Sequence, residues 1–276
     1  MHKTLTSFIA VVLLLGLHFQ VLAIDILAHR GASGEYPQGT RLAFDKALEQ
    51  GADELELDVH LSKDGYIIIN HDADLKANAG VSDKIEDLTL VELKKLDAGH
   101  EFSLDNGNSY PFRNQGLTLL TLNELFEYYP TAKFNIEIKP NDVRLSDALW
   151  EVIESYQMQQ QVVIASQHCK AMKRFRAISE GQVKTSATVA ELIEASLAWS
   201  SGFGWAFKPD FDIAQLPYKI MTKPYVRFFQ SKGVSVDLWT VNEVSDIERC
   251  IALGVDGIIG DYPERIYQVL QDQGHR

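Results

Sequence analysis

Between Ile24 and Gln273 short runs of β-branched and apolar residues alternate with longer runs of helical periodicity, and that alternation leaves few folds open. Strands separated by helices lie parallel, each helix crossing back over the sheet. Strand candidates are Ile24–His29, Glu54–Val59, Ile67–His71, Lys133–Lys139, Gln161–Ser166, Val183–Ala187, Trp205–Lys208, Val234–Val241 and Gly257–Asp261. Helical patterns cover Thr40–Gln50, Leu90–Leu96, Leu122–Tyr128, Ser146–Tyr156, Val189–Ser200, Pro224–Lys232, Val244–Leu253 and Pro263–Gln273. A closed eight-stranded barrel uses one strand fewer than this. Asp64-Gly65 accounts for the surplus, because it marks a tight turn that folds Ile67–His71 back on Glu54–Val59, outside the barrel. The expected fold is therefore α/β, a (β/α)8 TIM-type barrel. A two-residue turn at Asp64-Gly65 also sets Lys63 opposite Tyr66, and Asp58 opposite His71 on one face.

Residues 72–120 fit the barrel pattern least, with Gly80, Gly99, Asp105-Asn106-Gly107-Asn108 and Pro111 around one short helix. A loop of that length without structure of its own is uncommon inside a domain. The stretch reads as a small inserted subdomain over the carboxyl-terminal mouth. The whole chain of 276 residues suits one barrel, and 46% hydrophobic with 23% charged residues excludes disorder.

Residues 1–23 read as a secretory signal. Lys3 is followed by an apolar run, Phe8 to Leu17, and Val21-Leu22-Ala23 offers a cleavage point. The run lies within the roughly 7–15 residues of a signal core and is shorter than the ~20 of a membrane span. The alternative is an uncleaved anchor. The barrel, residues 24–276, is then periplasmic or secreted, with no stable membrane association. The formal net charge of −12 argues against nucleic acid and anionic membranes as main partners. Two cysteines, Cys169 and Cys250, make no disulfide framework and read as free thiols.

Four short pieces end proposed strands, where barrels assemble their sites. They are His29-Arg30-Gly31, Glu56-Leu57-Asp58, His71-Asp72 and Glu137-Ile138-Lys139. Period-2 alternation puts Glu56 and Asp58 on one face, and an inward Glu137 brings a third carboxylate to the mouth. Three carboxylates without cysteines suit a hard divalent cation, Mg²⁺ or Ca²⁺, rather than zinc. His29 and His71 beside it suit proton transfer near neutral pH. Arg30 and Lys139 supply the positive charge that a phosphoryl group needs. Each piece alone has an ordinary explanation: a solvated strand face, a surface ion pair, a chance dipeptide. All four together do not.

These pieces sit in longer stretches, "AHRGASGEYP", "AFDKALEQGADELELDVHLSKDGYIIINHD", "LTLVELKKLDAG", "TLNELF", "NIEIKP" and "VDLWTVNEVSDIERCIALGVDGIIGDYP", and together they resemble the glycerophosphodiester phosphodiesterase family over nearly the whole mature chain. The resemblance implies hydrolysis of small glycerophosphodiesters to sn-glycerol 3-phosphate and an alcohol. By position it makes His29 and His71 the acid/base pair, and Glu56, Asp58 and Glu137 the metal ligands. Arg30 and Lys139 become phosphate contacts, and Trp239 an aromatic lining the pocket. It also implies the inserted subdomain. Asp261, at the end of the last strand, either helps position the site or, more simply, caps the helix before Pro263.

The chain departs from the family pattern in three places. Pro37-Gln38-Gly39-Thr40 stands for the usual Pro-Glu-Asn-Thr, Lys76-Ala77-Asn78 for an Arg-Thr-Thr-like stretch, and Gln167-His168 follows Ser166 where Phe is usual. These read as changes in substrate fit. A lysophospholipase D or sphingomyelinase D-like activity on a lipid headgroup is the competing reading. It needs an apolar entrance, toward which the insert offers Phe102, Leu104, Tyr110, Phe112, Leu117 and Leu119. A non-catalytic phosphodiester-binding barrel would have lost a histidine or a carboxylate, and none is lost. The signal reading makes its own prediction. Intact-mass measurement of the exported protein should give a chain beginning at Ile24, and a mature chain that retains residues 1–23 would overturn it.

Overall fold

The computed structural model describes residues 23–276, so nearly all of the expected signal lies outside the described residues. The chain begins with β1 (Asp25–His29), α1 (Arg41–Glu49) and β2 (Glu54–Leu61). A hairpin strand β3 (Ile67–Ile69) leads into a run of small elements: β4 (Asp74–Leu75), α2 (Lys76–Ala79), β5 (Val81–Lys84) and α3 (Leu90–Leu93). Alternation then resumes with α4 (Leu122–Tyr128), β6 (Lys133–Ile138), α5 (Val143–Ser155), β7 (Val162–Ala165) and α6 (Cys169–Ser179). It continues through β8 (Lys184–Thr185), α7 (Val189–Ser200), β9 (Ile213–Pro217) and α8 (Lys223–Gln230). The last elements are β10 (Ser235–Trp239), α9 (Val244–Leu253), β11 (Gly257–Gly260) and α10 (Pro263–Asp272).

Eight parallel strands make the barrel, in the order β8-β7-β6-β2-β1-β11-β10-β9. The ring closes through a parallel bridge between Ser186 and Ile213. The Ala187 amide donates to the Ile213 carbonyl at 2.8 Å and the Asp212 amide to the Thr185 carbonyl at 2.9 Å. Along β2, Leu55, Leu57 and Val59 face outward into a buried layer with Phe44, Ala47, Leu122 and Leu125 of α1 and α4. Burying such side chains contributes about 1.5–3 kcal/mol each. The alternate positions, Glu56 and Asp58, are thereby fixed on the inner face. A second apolar layer joins β9, β10 and β11 to α8, α9 and α10 through Ala214, Val236, Ile258, Phe229, Ile247 and Ile266.

The helices start where their caps say. Thr40 accepts from the Ala43 amide at the head of α1. Thr121 with Glu124, and Thr188 with Glu191, form capping boxes on α4 and α7. Gly254, in the left-handed conformation, ends α9. Both cysteines are free, Cys250 buried and Cys169 partly so. Among the described residues no helix is long and apolar enough to cross a membrane.

Three details differ from the sequence reading. Trp205–Lys208 is no strand: Gly204–Ala206 forms a 3-10 turn with Trp205 exposed, and the barrel strand comes later, at Ile213–Pro217. The 205–208 run has no partner, whereas Ala214 and Leu216 alternate into the core while Gln215 faces the barrel. The helix α6 over Cys169–Ser179 was absent from the helical patterns, although Ala171, Met172, Phe175 and Ser179 bury one face of it.

The hairpin register is also shifted by one. Val59 pairs with Ile69 and Leu61 with Ile67, so Asp58 lies opposite Asn70, whose amide donates to the Asp58 carbonyl at 3.0 Å. The loop has three residues, Lys63-Asp64-Gly65, with the Gly65 amide closing a turn on the Ser62 carbonyl and Gly65 at φ 88°. That is a turn followed by a left-handed residue, which glycine adopts without the Cβ penalty. Asp64 holds the loop by accepting from Ser62 Oγ at 2.8 Å and from the Leu90 amide at 3.0 Å.

Residues 72–120 carry their own small core of Leu75, Ala79, Ile85, Leu93, Ala98 and Leu119, seated on Ile68 of β3. From it Ala77, Asn78, Ala98, Glu101, Phe102 and Ser103 reach a cavity that they share with His29 and Arg30.

Candidate active site

Parallel register decides which side chains meet. His29 aligns with Glu56 across β1 and β2, and Asp58 with Glu137 across β2 and β6. One carboxylate oxygen from each of Glu56, Asp58 and Glu137 lies within 4.8 Å of the others. Glu56 and Asp58 are buried. Burial first, and then the neighbouring Asp58, push the Glu56 carboxyl well above the ordinary carboxylate range. Burial also raises the Glu137 pKa, opposed by Lys139 and helped by Asp58.

Two cations face this cluster. Arg30 Nε lies 3.0 Å from Asp58 Oδ2, and Lys139 Nζ lies 3.4 Å from Asp58 Oδ1 and 3.3 Å from Glu137 Oε2. Burial opposes the Lys139 charge, but Asp58 and Glu137 outweigh it and raise the ammonium pKa. Arg30 is a non-glycine residue at φ 58°, a conformation that persists only where surroundings hold it. Its amide donates to the Glu56 carbonyl at 2.9 Å and to Glu56 Oε2 at 3.1 Å, and its Nη1 donates to Gln38 Oε1 at 2.8 Å. Gly31 follows at φ 83°, where a Cβ would lie 2.7 Å from the Ala43 backbone, so α1 can close on this turn only over glycine.

The two histidines sit in opposite electrostatic settings. His29 Nδ1 is 2.6 Å from Asp261 Oδ1. Burial works against its charge, yet the Asp261 hydrogen bond and Glu56 prevail and its pKa rises. Asp261 is anchored in turn by Ser33 Oγ at 3.1 Å and Asn242 Nδ2 at 2.6 Å. Despite its own burial, Asp261 titrates below the usual range because His29, Asn242 and Ser33 all donate to it. His71 Nδ1 is 2.8 Å from Asp72 Oδ1. There burial, followed by Arg30, lowers the pKa. His71 follows the last hairpin pair, where the chain bends, and His60 Nε2 lies 3.0 Å from its carbonyl oxygen.

Around one cavity of about 370 Å³ stand His29, Arg30, Glu56, His71, Glu137, Lys139 and Trp239. Asp58 lies just beneath, bordering a small void with Arg30 and His71. A larger cavity, about 890 Å³, opens at the amino ends of β6, β7 and β8 and includes none of these residues. The donor set fits a divalent cation: all-oxygen, three carboxylates close together, and one of them pushed toward protonation by burial and by Asp58.

Sequence reasoning missed Asn242, preferred a helix cap over a positioning role for Asp261, and read Gln38 and Asn78 only as departures in substrate fit. Asp261 caps nothing: the cap residue of α10 is Tyr262, and the Asp261 carboxylate holds His29. Its place at a strand end was the available signal. Gln38 Nε2 donates to Asn78 Oδ1 at 2.8 Å and Asn78 Nδ2 to Asn70 Oδ1 at 2.8 Å, so two of the departures noted in the sequence touch each other.

Residues 29–265 match the model of the Glycerophosphoryl diester phosphodiesterase family. A glycerophosphodiester phosphodiesterase of Caldanaerobacter subterraneus subsp. tengcongensis is 33% identical over 258 residues, which cover 90% of this chain and 98% of that protein. A lysophospholipase D of Homo sapiens is 25% identical over 277 residues, covering 91% of this chain and 86% of the relative. Among solved structures, an Oleispira antarctica phosphodiesterase in complex with the product sn-glycerol-3-phosphate superposes with a TM-score of 0.75 at 25% identity, over 90% of this chain and 97% of that one.

The His29–Asp261 pair makes a prediction with a definite sign. His29 has a raised folded pKa, so the stability it contributes is full below the unfolded histidine value of about 6.5 and is lost as pH rises through the folded pKa. Asp261→Asn should lower the His29 titration midpoint, followed by imidazole NMR in chelator-treated protein. It should also cost about 1–3 kcal/mol of stability near pH ~5.5 and less near pH ~9. An unmoved midpoint would show that Asp261 does not hold the His29 proton.

Proposed function

The chain belongs to the glycerophosphoryl diester phosphodiesterase family and is a hydrolase of that kind, and from this premise we propose a metal-dependent hydrolysis of small glycerophosphodiesters to sn-glycerol 3-phosphate and an alcohol, with His29 and His71 as the acid/base pair. The observation that carries this reading is the cavity itself, where two histidines, two cations and three carboxylates converge at the carboxyl ends of the strands. Glu56, Asp58 and Glu137 would hold the cation, Mg²⁺ or Ca²⁺. When bound it supplies positive charge that stabilises the phosphoryl oxygens. A non-catalytic binder is disfavoured because no titrating group of the constellation is missing.

Each protein group has a part. Arg30 and Lys139 bind the phosphate, the guanidinium through its fork and the ammonium as a point charge. One histidine accepts a proton from the attacking water, and the other donates one to the departing alkoxide. The opposite pKa directions of His29 and His71 suit such a division. Asp261 holds Nδ1 of His29, leaving Nε2 for the substrate. Trp239 lines the same cavity beside them. The same reading places the mature enzyme in the periplasm or outside the cell, after loss of residues 1–23.

Metal dependence is tested directly. Excess chelator should abolish hydrolysis of glycerophosphocholine, and Mg²⁺ or Ca²⁺ should restore it. Glu56→Gln or Asp58→Asn should weaken metal binding, read by calorimetric titration, with cooperative unfolding retained. Undiminished turnover in chelator rules the site out.

The histidines are tested by their leaving-group dependence. Either His29→Ala or His71→Ala should lower kcat on glycerophosphocholine by about 10²–10⁴-fold, with KM moving much less. A nitrophenyl leaving group departs without protonation, so it should rescue whichever mutant lacks the acid and leave the other slow. That asymmetry assigns the two roles. Near-normal kcat in both mutants would make the histidines structural.

A further inference from the structure

The two proposed acid/base histidines reach the cavity by different routes. His29 ends β1, which is paired on both sides, with β2 and with β11. His71 follows β3, a hairpin strand that lies off the ring and pairs with β2. The barrel register therefore places His29 and leaves His71 to the bend that carries it. The His71 side chain is 32% exposed. Among the described residues its ring has one hydrogen-bond partner, Asp72 Oδ1, which belongs to the next residue in the chain. Two neighbours that move together cannot fix each other's place.

Two buried side chains hold the bend instead. Asn70 Nδ2 donates to the Asp72 and Asp74 carbonyls at 2.7 and 3.1 Å. His60 Nε2 lies 3.0 Å from the His71 carbonyl oxygen. That oxygen belongs to the peptide joining His71 to Asp72. A carbonyl only accepts, so Nε2 carries the proton and donates. Among the described residues no other side chain is hydrogen-bonded to the His71 backbone. His60 is 8% exposed, and a buried polar group costs stability unless it is bonded. Any acceptor would satisfy a buried imidazole. This one meets the peptide that carries His71, and it does so from the strand that carries the carboxylates. His60 follows Glu56 and Asp58 at alternate positions of β2, on the same face. One strand thus holds two of the three clustered carboxylates and the grip on the second histidine, with same-face neighbours roughly 6.6 Å apart.

We propose that His60 is a positioning residue for the reaction: from β2 it fixes the peptide between His71 and Asp72, and so the place of the His71 imidazole relative to Glu56 and Asp58. The proposal rests on the phosphodiesterase reading of the cavity that His71, Glu56 and Glu137 line. His60 does not line that cavity and acts through His71. A reacting group displaced by about 1 Å costs about 10²-fold in rate, so the loss of this one hydrogen bond is read in kcat.

The test compares His60→Leu, which removes the donor, with His60→Gln, whose Nε2 stands the same number of bonds from the backbone. His60→Leu should lower kcat on glycerophosphocholine by about 10–100-fold, with KM moving much less because Arg30 and Lys139 are untouched. His60→Gln should restore most of the rate. His60→Leu combined with His71→Ala should be no slower than His71→Ala alone, since the first acts only through the second. On a nitrophenyl leaving group His60→Leu should follow His71→Ala, rescued or not as that variant is. Four results each overturn the proposal: losses that multiply in the double mutant, a leaving-group response unlike that of His71→Ala, a His60→Gln as slow as His60→Leu, or a folded His60→Leu with wild-type kcat. If His60→Leu does not unfold cooperatively, His60→Asn replaces it, keeping an amide that ends one bond short. Wild type inert toward glycerophosphocholine sinks the phosphodiesterase reading instead. Amide exchange over residues 71–76 then decides the grip: about tenfold faster exchange in His60→Leu but not in His60→Gln upholds it, and equal protection in all three proteins overturns it.

Discussion

The site depends on one alignment: β2 runs in register with β1 on one side and β6 on the other, bringing three carboxylates together inside the barrel. Two unit charges 4 Å apart repel by about 4 kcal/mol at an effective dielectric near 20, and Glu56 and Asp58 are buried. Nothing local makes this arrangement favourable. The outward-facing Leu55, Leu57, Val59, Phe134, Ile136 and Ile138 impose it, since a one-residue slip would send all of them into the polar interior and the acids into the helix layer. The apolar layer thus holds the register, and the register concentrates the charge. Arg30 and Lys139 offset part of it, while burial and the neighbouring Asp58 still raise the Glu56 pKa.

Much of this was legible because the strands announce their faces. Alternating acids in Glu54–Val59 and the charges ending Lys133–Lys139 need only a period of two to be placed on the inner wall. Helices with strong caps were equally plain: α4 and α7, begun by Thr121 and Thr188, and α9, ended by Gly254, match the sequence reading to the residue. The misses have physical causes. In β9 the polar Gln215 and the terminal Pro217 hide a strand whose core contribution is only Ala214 and Leu216. The hairpin slipped by one because Asp64 and Gly65 suit a three-residue loop as well as a two-residue one, and Ser62 Oγ favours the longer. The role of Asp261 was only half legible, since its strand-end position allowed either a place in the site or a helix cap. Its partner His29 is 232 residues away, adjacent only because β11 closes against β1.

The inserted segment is tied to the site by hydrogen bonds more than by shape. Asn70 Nδ2 donates to the carbonyls of Asp72 and Asp74, fixing the bend that presents His71. Asn70 Oδ1 accepts from Asn78, Asn78 accepts from Gln38, and Gln38 accepts from Arg30. One chain of side-chain amides therefore runs from the guanidinium that faces Asp58 to the turn that carries the second histidine. Asn70 and Asn78 are buried, so each bond is costly to leave unmade, about 1–3 kcal/mol for an orphaned group.

That chain gives the two departures from the family pattern a common reason. An amide at position 38 accepts from Arg30 with its oxygen and donates to Asn78 with its nitrogen. A carboxylate there could still accept from Arg30, but it would turn an acceptor toward the Asn78 oxygen. Asn78 would have to rotate its amide to meet it, presenting its oxygen to Asn70 Oδ1 and breaking the next bond in the row. Gln38 and Asn78 are thus matched in direction, every donor facing an acceptor from Arg30 to the Asp72 carbonyl. The neutral link has a further effect on the cation it steers. A carboxylate at position 38 would compete for the Arg30 charge, whereas Gln38 fixes the guanidinium without neutralising it. The charge of Arg30 is left to Asp58 and to whatever anion enters the cavity above.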